Sequence, residues 1–66
     1  MIIEKISLPA ARKIKGITQT QLAEECKVSV STVSNWERGK TEPTVSQAKK
    51  IANVCGLKLD DIKFLA

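Results

Sequence analysis

The stretch Thr18-Gln19-Thr20-Gln21-Leu22-Ala23-Glu24-Glu25-Cys26-Lys27-Val28-Ser29-Val30-Ser31-Thr32-Val33-Ser34-Asn35-Trp36-Glu37-Arg38-Gly39 decides the fold. Its first part reads as a capped helix. The Thr18 hydroxyl can accept an N–H one turn in, and Gln21 can reach back to the Thr18 backbone, which is the capping-box pattern. A helix over 19–26 follows, with Leu22, Ala23 and Cys26 at i, i+1 and i+4 on one face. The second part is ambiguous. Alternation and β-branched content across Val28-Ser29-Val30-Ser31-Thr32-Val33-Ser34 favour a strand. Three points outweigh that propensity: Ser29 can cap, Val33 and Trp36 share one helical face, and a lone strand between helices would leave its backbone groups unpaired. The expectation is a helix over 30–38, ended by Gly39.

Working outward, Pro9 suits the first turn of a helix and Gly16 can end one, so a helix is expected over 8–15. Residues 1–7 stand outside it as a short strand or arm, because a proline pushes its predecessor towards extended geometry. On the other side, the polar loop Lys40-Thr41-Glu42-Pro43 leads into a second capping box, Thr44-Val45-Ser46-Gln47. The helix it opens runs to about Cys55, with Val45, Ala48, Ile51, Ala52 and Cys55 recurring at three- and four-residue steps, and Gly56 ends it. Leu59, Ile62 and either Phe64 or Leu65 outline a last short helix with Asp60 and Asp61 in its first turn. The expected architecture is all-α, five short helices in a single domain over residues 1–66. At 7.2 kDa and 42% apolar residues there is enough for one core and not two.

Composition narrows the function classes. Eleven Lys and Arg against seven Asp and Glu give +4 and a pI near 9.3, a balance suited to nucleic acid or another acidic surface. Aromatics make up only 3%, which argues against a stacking platform for single strands. With no His and only Cys26 and Cys55, a Zn site would lack half its ligands; no metal and no cofactor are expected. One disulfide between these cysteines is geometrically possible, but two free buried thiols in a reducing cytosol is the simpler reading. Glu4 and Lys5 directly after Met1-Ile2-Ile3 leave no apolar signal-peptide stretch, and the longest uncharged run, from Val28 to Trp36, is about half the ~20 residues of a membrane span, so a cytoplasmic chain is expected. Nothing resembles a nucleophile–base pair or a phosphate loop, and neither an enzyme nor a small-molecule binder is expected. The neighbouring carboxylates Glu24-Glu25 and Asp60-Asp61 point in different directions on a helix and read as solvated surface.

Two helices joined by the turn Lys27-Val28-Ser29 have the form of a helix-turn-helix, whose second helix enters the major groove. In family order stand Arg12, Gly16-Ile17-Thr18-Gln19, Leu22-Ala23, Val28-Ser29, Ser31-Thr32-Val33-Ser34, Trp36-Glu37-Arg38-Gly39-Lys40 and Glu42-Pro43-Thr44. Together these make residues 12–61 resemble the Cro-type, lambda-repressor-like (XRE) helix-turn-helix family of phage and bacterial regulators. Small Ala23 suits the close crossing of the two helices. With Val33 and Trp36 turned inward, the helical period turns Val30, Ser31, Ser34 and Asn35 outward as base-contacting candidates, and Thr32 to the flank. Asn35 can pair with an adenine edge, the serines can donate or accept, and Val30 can pack on a thymine methyl. Phosphate contacts are expected from Gln19, Thr32, Arg38, Lys40, Thr41 and Thr44 around the recognition helix. The resemblance implies a partly buried ion pair between Arg12 and Glu37. Three positions depart from the family: Lys27 where Gly is usual, Ala11 where Leu is usual, and Lys58 where a capping Ser or Thr is common. The space beside Ala11 stays open unless Ile14 or the N-terminal arm fills it, and the arm is expected to help.

The function expected is a sequence-specific regulator of double-stranded DNA, phage- or prophage-borne, that represses by covering an operator. One recognition helix reads only about four base pairs, each worth about 1 to 3 kcal/mol, so a monomer is poorly specific and a homodimer on a pseudo-palindrome is expected. Its interface is placed on Leu57, Lys58, Ile62, Phe64 and Leu65, with Ile2 and Ile3 as additions, although these apolar groups could equally close the core. The alternative is a protein-interaction module of the same fold, an antitoxin or anti-repressor.

Overall fold

A computed structural model describes residues 5–64. Its elements, in chain order, are β1 (Ile6–Ser7), α1 (Leu8–Lys15), α2 (Gln19–Cys26), α3 (Val30–Glu37), α4 (Val45–Cys55), a 3₁₀ turn (Leu59–Asp61) and β2 (Ile62–Lys63). Every α-helix starts on a hydroxyl. Ser7, Thr18, Ser29 and Thr44 each accept a backbone N–H three residues on, at 3.1 to 3.3 Å. At Thr18 and Thr44 the glutamine at the third helical position returns the bond, Gln21 and Gln47 each accepting the cap N–H at 2.8 Å. These caps satisfy N–H groups that no helical carbonyl can reach.

Helix ends are equally uniform. Ile17, Val28, Lys40 and Leu57 donate their N–H to the carbonyls of Arg12, Ala23, Asn35 and Ala52, each five residues back, at 2.9 to 3.1 Å. That closure needs a left-handed residue just before the donor. Glycine supplies it after α1, α3 and α4, but after α2 the residue is Lys27, at φ 58°. The side chain that departs from the family pattern therefore occupies the conformation that favours glycine, without glycine's freedom from the Cβ clash. The third helix ends one residue earlier than expected, with Arg38 as its cap.

The core is drawn from every α-helix: Leu8 and Ala11, Leu22 and Ala23, Val33 and Trp36, and Ile51, Ala52 and Cys55, joined by Ile62. α2 packs against both α3 and α4. Cys26 is half-buried and Cys55 buried, and both thiols are free. Among the described residues, no helix is long and apolar enough to cross a membrane.

The architecture is corrected at the C-terminal side: among the described residues four α-helices form, not five. Lys58 has no side-chain oxygen with which to cap a helix. Asp61 instead accepts the Lys58 N–H at 3.2 Å while donating its own N–H to the Lys58 carbonyl at 2.9 Å, and the chain closes one 3₁₀ turn. Ile62 then goes extended beside Ile6, and Ser7 beside Lys63, in a two-stranded parallel sheet. This pairing carries Ile62 to 2% exposure. Its place in the expected dimer interface is accordingly taken by a role in the chain's own core, while Leu65, Ile2 and Ile3 lie outside the described residues. Ile14 does not fill the space beside Ala11, since it is 69% exposed whereas Ala11 is fully buried. α1 rests on both strands, and Ile6 packs on the core to which Ala11 belongs.

Candidate nucleic-acid interface

The inward side of α3 is fixed by Val33, fully buried, and Trp36, 4% exposed. Ala23 on α2 is 2% exposed and has only a methyl group to place where the two helices meet. With those anchors seated, Val30 at 41% and Ser31 are exposed, and Ser34 and Asn35 are half-buried. The four base-contacting candidates are thus accessible from one helix whose backbone the core holds rigid. Thr32, also half-buried, is tied at 2.9 Å by its hydroxyl to that of Ser29.

Arg38, Lys40, Thr41 and Thr44 are all exposed beyond the end of α3. Thr44 has a double duty, because its hydroxyl accepts the Gln47 N–H while its proton remains free to donate. Lys40 and Thr41 stand on the connection to α4, where Lys40 anchors the backbone by donating its N–H to the Asn35 carbonyl. Cations and hydroxyls placed beside a recognition helix are the groups that hold a duplex in register.

Beneath this surface lies a network on Glu37, whose side chain is only 7% exposed. Arg12 donates from Nε to Glu37 Oε2 at 2.8 Å and from Nη2 to Oε1 at 3.4 Å. Its Nη1 donates to the Ile17 carbonyl at 3.1 Å. Gln19 Nε2 also donates to Glu37 Oε1, at 2.9 Å. One carboxylate therefore ties α1, the start of α2 and the end of α3 together. The bond from Gln19 links residues 18 positions apart and has no local signature in the sequence. It directs one N–H of the Gln19 amide inward to Glu37, leaving the second N–H and the carbonyl oxygen for other contacts. A second unanticipated bond runs along α3, where Arg38 Nη2 donates to Asn35 Oδ1 at 3.1 Å. Their i, i+3 spacing was the available signal.

Residues 10–62 match the helix-turn-helix family. The chain belongs to the XRE-type helix-turn-helix family. This is a family of DNA-binding transcriptional regulators, and α2, the turn at Lys27-Val28-Ser29 and α3 form its helix-turn-helix. Among relatives, an uncharacterized HTH-type transcriptional regulator of Methanocaldococcus jannaschii is 38% identical over 58 residues, 88% of each chain. The HTH-type transcriptional activator BcrR of Enterococcus faecalis is 36% identical over 55 residues, covering 83% of this chain and 27% of its own length. The two named relatives thus share the helix-turn-helix unit while differing greatly in what surrounds it.

Proposed function

We propose that this helix-turn-helix protein is a sequence-specific repressor of the Cro type, which binds a pseudo-palindromic operator as a homodimer and blocks transcription by covering it. The observation that carries the reading is the accessible face of α3, Val30, Ser31, Ser34 and Asn35, flanked by exposed Arg38 and Lys40. Polar and apolar groups on such a face can meet base edges while the flanking cations meet phosphates. Gln19, Thr32, Thr41 and Thr44 complete the phosphate contacts.

Specificity argues for two copies, since paired half-sites about 34 Å apart double the number of base pairs read. We assign the contact between copies to the half-buried Leu57 and Phe64 with exposed Lys58. Of these three, Phe64 also lines an open groove of about 480 Å³, together with Val45, Ala48 and Leu59. Val45 is 69% exposed there, an uncovered apolar side chain on the first turn of α4.

Selection of duplexes from a random library, followed by sedimentation with the selected site, tests the reading. Enrichment of a two-fold symmetric sequence, bound by two copies with an affinity that falls steeply as salt rises, is expected. Enrichment of no duplex, or an affinity indifferent to salt and sequence, would favour a protein-interaction module instead. A single copy bound to the selected site at high micromolar protein would reject the homodimer.

A further inference from the structure

Asn35 and Arg38 form one reading unit on the surface of α3. Asn35 lies in the helix's last turn and Arg38 caps it, three residues on and on the same face. Their bond, Arg38 Nη2 to Asn35 Oδ1 at 3.1 Å, has only one chemically sensible sense. A guanidinium carries donors and no acceptor, so the amide must turn its oxygen towards it. The Asn35 Nδ2 group, with its two N–H donors, then faces away from Arg38. The backbone at this point is held independently, by the Asn35 carbonyl accepting the Lys40 N–H at 2.9 Å and the Ser34 carbonyl accepting the Arg38 N–H at 3.0 Å.

A free asparagine reads adenine because its oxygen takes the N6 amino proton while its nitrogen donates to N7. Here the oxygen is shared with a cation. A second donor arriving from adenine N6 would have to share the carbonyl oxygen with Arg38, on its other lone pair and beside the positive guanidinium. Guanine offers two acceptors instead, O6 and N7, on the same edge. The amide N–H groups of Asn35, which the bond turns away from Arg38, are donors and match it.

Resting on the DNA-binding reading above, we propose that Arg38 is a specificity-determining residue that acts by positioning Asn35, switching the base selected opposite Asn35 from adenine to guanine. This reverses the adenine preference expected for Asn35 alone. A residue that merely contacted phosphate would alter affinity without altering which base is chosen.

The experiment is selection from one random duplex library with the wild-type chain, Arg38→Ala, Asn35→Ala and the double variant. Far-ultraviolet circular dichroism and Trp36 fluorescence check that each is folded, Arg38 being exposed and Asn35 half-buried outside the core. Wild type is expected to enrich guanine at one position of each half-site, by about tenfold over adenine. Arg38→Ala is expected to move that position alone towards adenine, and Asn35→Ala to flatten it, with no additional change in the double variant. Wild type selecting adenine there, or Arg38→Ala leaving every base preference unchanged while weakening all duplexes alike, would overturn the proposal and leave the DNA-binding reading standing. Failure of the wild-type chain to enrich any duplex would overturn both.

Discussion

Two residues set the local energetics of the helix-turn-helix in opposite directions. Lys27 holds a left-handed backbone, φ 58°, where three other helix ends of the chain use glycine. The clash of its Cβ with the following carbonyl costs about 1 kcal/mol. Lys27→Gly is therefore expected to raise stability by up to about 1 kcal/mol, read as a higher urea midpoint at unchanged slope. Glu37 works the other way. It accepts from Arg12 and Gln19 at 7% exposure, and its partner Arg12 is only 15% exposed. Glu37→Ala strands a half-buried guanidinium and is expected to cost about 3 kcal/mol or more, a large part of a small domain's stability. Urea unfolding followed by Trp36 fluorescence measures both effects; a Glu37→Ala loss under about 1 kcal/mol would contradict the role given to the network.

At the scale of elements, α3 is the helix whose residues least favour it. Alternating β-branched residues in its first turns would suit a strand, and the helix survives because Ser29 caps it and Val33 and Trp36 have a core to enter. Ser29 Oγ serves both the Thr32 N–H at 3.2 Å and the Thr32 hydroxyl at 2.9 Å. Ser29→Ala should consequently cost about 1 kcal/mol, with the earliest hydrogen exchange in the first turn of α3, checked by amide exchange. The helix starts and stops were legible because they depend on single side chains: Thr18 and Gln21, Thr44 and Gln47, Gly16, Gly39 and Gly56. The last element was not. Leu59 and Ile62 are three apart and fit a helix as well as a turn and strand, and only the presence of Ile6 alongside decides for the strand.

Across the whole molecule, burial couples the two thiols to stability. Removal from water pushes Cys26 and Cys55 above their ordinary value of 9.0, opposed by Lys50 for Cys26 and by Lys15 and Arg12 for Cys55. A group raised in the folded state contributes stability that is complete below its unfolded value and is lost as pH rises through the folded one. Unfolding free energy is thus expected to fall above about pH 9, and the fall to be shallower in Cys26→Ala, measured by urea titration across alkaline pH. An equal fall in that variant would remove Cys26 from the account. Alkylation at neutral pH should also be slow at both cysteines, since the reactive thiolate is scarce and Cys55 is only 6% exposed.

The sequence by itself determined α1 to α4, the caps at Thr18, Ser29 and Thr44 and the face of α3 that looks outward, because each depends on residues within a turn or two of one another. It also marked Lys27 as the anomalous turn residue. What only the tertiary structure decided were the long-range pairings: Ile6 with Ile62, Gln19 with Glu37, and the burial that turns Ile62 from a surface candidate into core. A hydrogen bond between residues 18 apart, or a strand pair that joins the two ends of the described chain, leaves no periodicity in the residues between. The partners meet only after the helices have packed, so their contact is a property of the folded chain and not of any segment of it.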